Sequence, residues 1–117
     1  MENTVLKAQI GDTEYTLEYT RNSVCQAEEA FGVSMLVREE MKSYSETMKF
    51  LKALLYGALI KNHKNIKVED MDAVYEKFVG EDGYEEQALI EGLVELLGNA
   101  LNPKGGGRKK KLLAVKK

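Results

Sequence analysis

A chain of 117 residues with 44% hydrophobic and 31% charged residues has the length for one domain around one core. Its single cysteine, Cys25, excludes an intrachain disulfide framework. The formal net charge of -2 conceals a division: from Pro103 onward stand seven basic residues (Lys104, Arg108, Lys109, Lys110, Lys111, Lys116, Lys117) and no acid, whereas residues 1–102 carry 10 basic against 19 acidic residues, a net of -9.

That division predicts a helical body over 1–102 and a flexible basic Gly/Lys tail over 103–117, because Gly105, Gly106 and Gly107 cannot hold a helix. No run approaches ~18 uninterrupted apolar residues, and Met1, Glu2, Asn3 and Thr4 lack the basic start of a leader. A cytoplasmic protein with no membrane span is expected.

The first element is a β-hairpin. Val5 to Ile10 is short and β-prone, Tyr15, Leu17 and Tyr19 alternate with Thr16 and Glu18, and the intervening Gly11, Asp12, Thr13 and Glu14 supply the turn. The period then changes: Thr20 or Asn22 opens a helix in which Val24, Ala27 and Phe31 recur at helical spacing, and Gly32 closes it. Residues 33–42 read as a loop or short helical turn. Ser43 with Glu46 has capping-box spacing and starts a long helix, about Tyr44 to Asn62, that is apolar nearly all round from Phe50 to Ile60. Such a helix is either central in the fold or half covered by a partner chain, and self-association is one way to cover it. A third helix carries Val68, Met71, Val74, Tyr75, Phe78 and Val79 on one stripe, and a fourth runs from about Tyr84 to Leu101. The fold class is mainly α with a small N-terminal hairpin, an α+β chain of about four helices packed as a compact bundle.

Catalytic constellations are missing. His63 is the sole histidine, which removes His-pair metal sites and a Ser-His-Asp triad, and its place beside a helix C-terminus suits a structural role. Cys25 adjoins the apolar stripe of the first helix and is expected to be a buried small hydrophobe. Glu69, Asp70 and Asp72 lack the glycine and terminal glutamate of a calcium loop, and Glu81, Asp82, Glu85 and Glu86 crowd a helix start that favours negative charge. No enzyme, cofactor or metal site is expected. The run Arg108, Lys109, Lys110, Lys111 suits sequence-independent contact with phosphates, so a small regulatory nucleic-acid binder is the alternative function; the -9 body opposes it.

The order of elements and the local wording resemble the tail assembly chaperones of long-tailed bacteriophages and related prophages. The resemblance rests on Glu18-Tyr19-Thr20, Asn22 opening a helix with Glu28-Glu29 and closing at Phe31-Gly32, the run Leu54-Leu55-Tyr56-Gly57-Ala58-Leu59-Ile60-Lys61-Asn62-His63, then Ile66-Lys67-Val68-Glu69-Asp70-Met71, and the final helix from Ala88 to Leu101. It covers about residues 5–101 and includes no catalytic signature. It implies a non-enzymatic factor that binds the tape measure protein, keeps it soluble and assists tail tube subunits to assemble around it. It also implies a second, longer product made by ribosomal frameshifting, with the slip expected near Lys109 to Lys111. Contacts with the tape measure and tail tube proteins are expected on the second and fourth helices, at Phe50, Leu54, Tyr56, Ile60, Leu89, Leu93 and Leu96, although packing of a core explains the same residues.

Overall fold

A computed structural model describes residues 4–35 and 43–101, and it has the expected α+β architecture of a two-stranded hairpin and four helices. Strand β1 (Leu6–Ile10) pairs antiparallel with β2 (Thr13–Leu17) in the register Leu6 to Leu17 and Ile10 to Thr13. Only two residues, Gly11 and Asp12, make the turn. Gly11 sits at φ 59 and Asp12 does not have positive φ, the pattern of a type II′ turn whose twist matches that of the strands. The turn is tighter than the four residues expected, and β2 starts two residues earlier.

Helix α1 (Arg21–Phe31) is capped by Thr20, whose side chain accepts from the Ser23 N–H at 3.0 Å while the Ser23 hydroxyl accepts from the Thr20 N–H at 2.9 Å. The stop is Gly32, left-handed at φ 67 and bonded back to the Glu28 carbonyl. Beyond it, the Met35 N–H donates to the Glu28 carboxylate at 2.8 Å and Met35 is buried, so the expected loop begins by tying itself back onto α1. The rest of the 33–42 expectation, and the basic tail, lie outside the described residues.

Helix α2 (Tyr44–Leu59) starts at Ser43, which accepts from the Glu46 N–H at 3.1 Å. It ends short of Asn62. The N–H groups of Asn62 and His63 both fold onto the Leu59 carbonyl, and the side chains beyond that point turn to the hairpin: Lys61 and Asn62 reach the Glu18 carboxylate at 3.0 and 3.3 Å, and His63 Nε2 accepts from the Thr16 N–H at 2.9 Å. Tertiary contacts therefore override a helical pattern that continues in the sequence. A 3-10 turn (Val68–Asp70), with the Lys67 N–H donating to Asp70 at 2.9 Å, leads into α3 (Met71–Phe78), and α4 (Glu86–Leu101) completes the chain.

Helix α2 is the centre of the fold. Leu51, Ala53, Leu54, Leu55, Ala58 and Leu59 are all buried, with the hairpin, α1, α3 and α4 around them. Its apolar surplus from Leu51 to Leu59 is thus packed within the chain. Helix α1 crosses α2 closely: a Cβ on Gly57 would stand 3.3 Å from both the Ala27 Cβ and the Tyr19 ring. The Tyr19 hydroxyl, fully enclosed at this crossing, donates to the Leu54 carbonyl at 2.6 Å, and burial raises its pKa well above the ordinary value. Those contacts give Tyr19 and Gly57, two residues of the quoted motifs, a structural reason.

Cys25 corrects an expectation. It is exposed, because at about 100° per residue it falls roughly 130° from the centre of the arc of Val24, Ala27 and Phe31; Ser23, at 2% exposure and held by the cap, takes the inward place. A thiol reagent is accordingly expected to label the native protein about as fast as the urea-unfolded chain, within roughly tenfold. Labelling slowed to the rate of global unfolding would return the thiol to the interior.

Candidate functional site

A groove between the hairpin and α4 is a concave apolar surface among the described residues. It has a volume of about 160 Å³. Its sheet side is Leu6, Ala8 and Leu17, which the period of two turns to one face of the hairpin. Its helix side is Ala88, Leu89, Gly92 and Leu93, an i, i+4 and i+1, i+5 set that shares one face of α4. The small residues make the depression: Ala88 is exposed, and a Cβ on Gly92 would meet nothing within 4 Å.

Tyr84 stands at the groove, 38% exposed, with its hydroxyl accepting from the Gln9 N–H at 3.1 Å. Gln9 lies on the outer edge of β1. In an antiparallel pair, successive residues turn their backbone groups alternately to the partner strand and away from it. A two-residue turn closing Ile10 to Thr13 makes Ile10, Ala8 and Leu6 the inward-bonded residues, so Gln9 and Lys7 face outward on β1 and Thr16 on β2. The outer edge of β2 is engaged: Thr16 N–H on His63, and just beyond the strand Glu18 N–H on the Ala58 carbonyl at 2.8 Å. On β1, the Tyr84 hydroxyl engages Gln9, and Lys7 has no backbone partner among the described residues. Its peptide faces the groove mouth as an unpaired strand edge.

The charge around this mouth is mostly negative. Glu91 and Glu95 are exposed and lie beside Ala88 and Gly92 on the helical wheel, and Glu85 precedes α4 by one residue; Lys7 is the positive group on the rim. The other ionic groups serve the fold. Lys52 pairs with Asp72 at 2.6 Å, and the Tyr75 hydroxyl donates to Glu86 at 2.6 Å, with burial and then that carboxylate raising the tyrosine pKa. Asp70 and Asp72 are thereby used in a cap and an ion pair, and among the described residues no group of three or more His, Cys, Asp or Glu is placed to hold a metal ion. His63 receives a strand N–H and packs against the Tyr15 ring at 5.3 Å; with Nε2 accepting, it acts as a peg for β2.

Glu18 has a perturbed carboxyl. Its bond from Lys61 lowers the pKa against the opposing effect of burial, with Asn62 assisting. A carboxyl held below its ordinary value of 4.5 contributes stability that is complete above that pH and is lost as pH falls through the folded value. Glu18→Gln is expected to cost less than about 1 kcal/mol at pH 7, the scale of a partly solvated pair, and to flatten the loss of stability below pH 4.5. An unchanged acid limb in urea titrations would show that the pair contributes nothing to it.

Of the residues expected to meet a partner, Leu89 and Leu93 line the groove floor, at 7% and 2% exposure. Leu54 and Leu96 are enclosed in the interior, Ile60 is buried away from the groove, and Phe50 and Tyr56 are half-buried, Tyr56 against Phe31 at 5.6 Å. The later half of α2 is flanked by neighbours, and its exposed residues, Tyr44, Ser45, Glu46 and Lys49, lie in its first turns. Arg108, Lys109, Lys110 and Lys111 lie outside the described residues. Missing from the sequence reading were Leu6, Ala8, Leu17, Tyr84, Ala88 and Gly92. The available signal was the small pair Ala88 and Gly92 on a helix otherwise rich in leucine.

A hairpin, four helices and an apolar groove at a strand edge define a small α+β domain. The chain belongs to the family of the domain of unknown function DUF5055, whose model matches residues 1–107. No curated protein and no solved structure matches it. Among the described residues, no helix is long and apolar enough to cross a membrane.

Proposed function

We propose that this protein is a phage or prophage tail assembly chaperone that holds apolar segments of a tape measure protein and assists tail tube assembly in the host cytoplasm. The observation that carries the reading is the apolar groove between β1 and α4. An acidic body keeps such a surface in solution, and a groove lined by Leu6, Ala8, Leu89 and Leu93 offers burial to leucine- or valine-bearing segments without demanding one sequence. The quoted wording from Glu18 to Met71 supports it independently. Binding of this kind is a matter of apolar area and shape, so no catalytic group is called for.

Co-expression tests it. The chain is expected to keep segments of the neighbouring tape measure protein soluble, and Gly92→Leu, which fills the groove from the helix side, is expected to lower the soluble yield at least about tenfold. Because the glycine has open space and leucine is the better helix former, that variant keeps its fold. A client held equally well by the filled groove would remove this face from the function. Binding that instead weakens steeply with salt, as phosphate contacts require, would favour a nucleic-acid partner.

A further inference from the structure

The outer edge of the hairpin at β2 is engaged at two points among the described residues, and only one of them can titrate. Just beyond the strand, the Glu18 N–H donates to the Ala58 carbonyl at 2.8 Å, a contact between two backbone groups. Within the strand, the Thr16 N–H donates to His63 Nε2 at 2.9 Å. A backbone N–H can only donate, so the nitrogen facing it holds a lone pair and the neutral ring carries its one proton on Nδ1. A second proton turns Nε2 into a donor as well. Two donors then face each other, so the bond and a charged ring exclude one another.

The surroundings offer the charged ring no replacement. On its own turn stand Lys61 and Lys64, both positive, with the Lys64 ammonium on the Lys61 carbonyl at 3.2 Å. The carboxylates of β2 and its end are Glu14 and Glu18. Glu14 is exposed and alternates onto the strand face opposite Tyr15, whose ring His63 meets at 5.3 Å, and the Glu18 carboxylate is occupied by Lys61 and Asn62. Behind Tyr15, α3 presents the uncharged Phe78. Among the described residues no carboxylate is bonded to His63, and the ring is half-buried, within reach of protons from solvent.

We propose that His63 is a proton-operated latch on the hairpin: neutral, it closes the outer edge of β2 onto the turn that follows α2, and protonated, it releases the Thr16 peptide while Glu18 stays pinned to Ala58. Release leaves an open strand edge at Thr16. The contact is complete with the ring neutral and is lost as pH falls through the region of about 6.5 in which imidazole ordinarily takes up its proton. The Glu18 pair is lost only below 4.5, so the two effects of acid separate. The proposal concerns the fold alone and does not rest on the chaperone reading.

Nuclear magnetic resonance of the full chain reads ring and strand in one sample. The ring nitrogens of His63 are expected to show the Nδ1–H form at about pH 8. Exchange protection of the Thr16 amide, corrected for its intrinsic rate, is expected to fall at least about tenfold from about pH 8 to about pH 5.5, in step with protonation of the ring. Protection at Glu18 and inside α2 is retained. His63→Ala is expected to show the low Thr16 protection at both pH values. A proton on Nε2 at about pH 8 would overturn the proposal, and so would equal Thr16 protection at the two pH values, whether or not the ring has taken up its proton. A fall that persists in His63→Ala would assign the effect to another group and overturn it as well.

Discussion

Alanine at position 83 is expected to destabilise the protein by about 3 kcal/mol although it adds a single methyl group, near the upper end of what overpacking costs. Gly83 lies in the turn between α3 and α4. A Cβ there runs into the Phe78 carbonyl, which is backbone and cannot rotate aside. That carbonyl also accepts the Tyr84 N–H at 2.7 Å, and the Gly83 N–H is itself bonded to Gly80 at 2.9 Å, so the turn opens only by breaking its own hydrogen bonds. Gly92→Ala is the matched control, a glycine-to-alanine change in α4 with nothing within reach of the new methyl. It is expected to stabilise by up to about 1 kcal/mol through helix propensity. Urea midpoints for the two variants should move in opposite directions. A Gly83→Ala midpoint equal to that of the wild type would mean the turn is looser than described.

Phe78→Ala is expected to cost about 3–5 kcal/mol, a large part of the roughly 5–15 kcal/mol that holds a domain folded. Phe78 is 0% exposed, the largest of the fully buried side chains, and its ring meets the Tyr15 ring at 5.0 Å. The contact joins α3 to the hairpin, and His63 packs on Tyr15 from α2's C-terminal side, so truncation leaves a void that three elements share. Thermal unfolding should fall by at least about 12 °C, taking ~4 °C per kcal/mol for a body of this size. A shift under a few degrees would show that the hairpin settles onto α3 without this ring.

Much of the fold was legible because local signals agreed with one another. Thr20, Gly32 and Ser43 cap where their chemistry predicts, and the stripe Met71, Tyr75, Phe78 is buried as its period requires. Errors arose where tertiary contact decided. The end of α2 is drawn off by Glu18 and Thr16, partners more than forty residues away in sequence. Cys25 was misplaced by adjacency to the stripe, when angle around the helix was the relevant measure. The groove was the least legible feature, since it is made by what Ala88 and Gly92 lack and by a strand edge whose freedom depends on the register of the hairpin. Leucine-rich surfaces attract attention in a sequence, yet here Leu54 and Leu96 are interior and the accessible apolar ground is provided by small residues.

The central claim is that clients bind between β1 and α4, and amide chemical-shift mapping of the full chain during titration with a tape measure segment tests it most directly. The account predicts saturable shifts concentrated at Leu6, Lys7, Ala8, Ala88 and Gly92, with the interior of α2 from Leu51 to Leu59 little changed. Shifts confined to α1 or α2, or a segment held in solution with the groove amides unmoved, would contradict it.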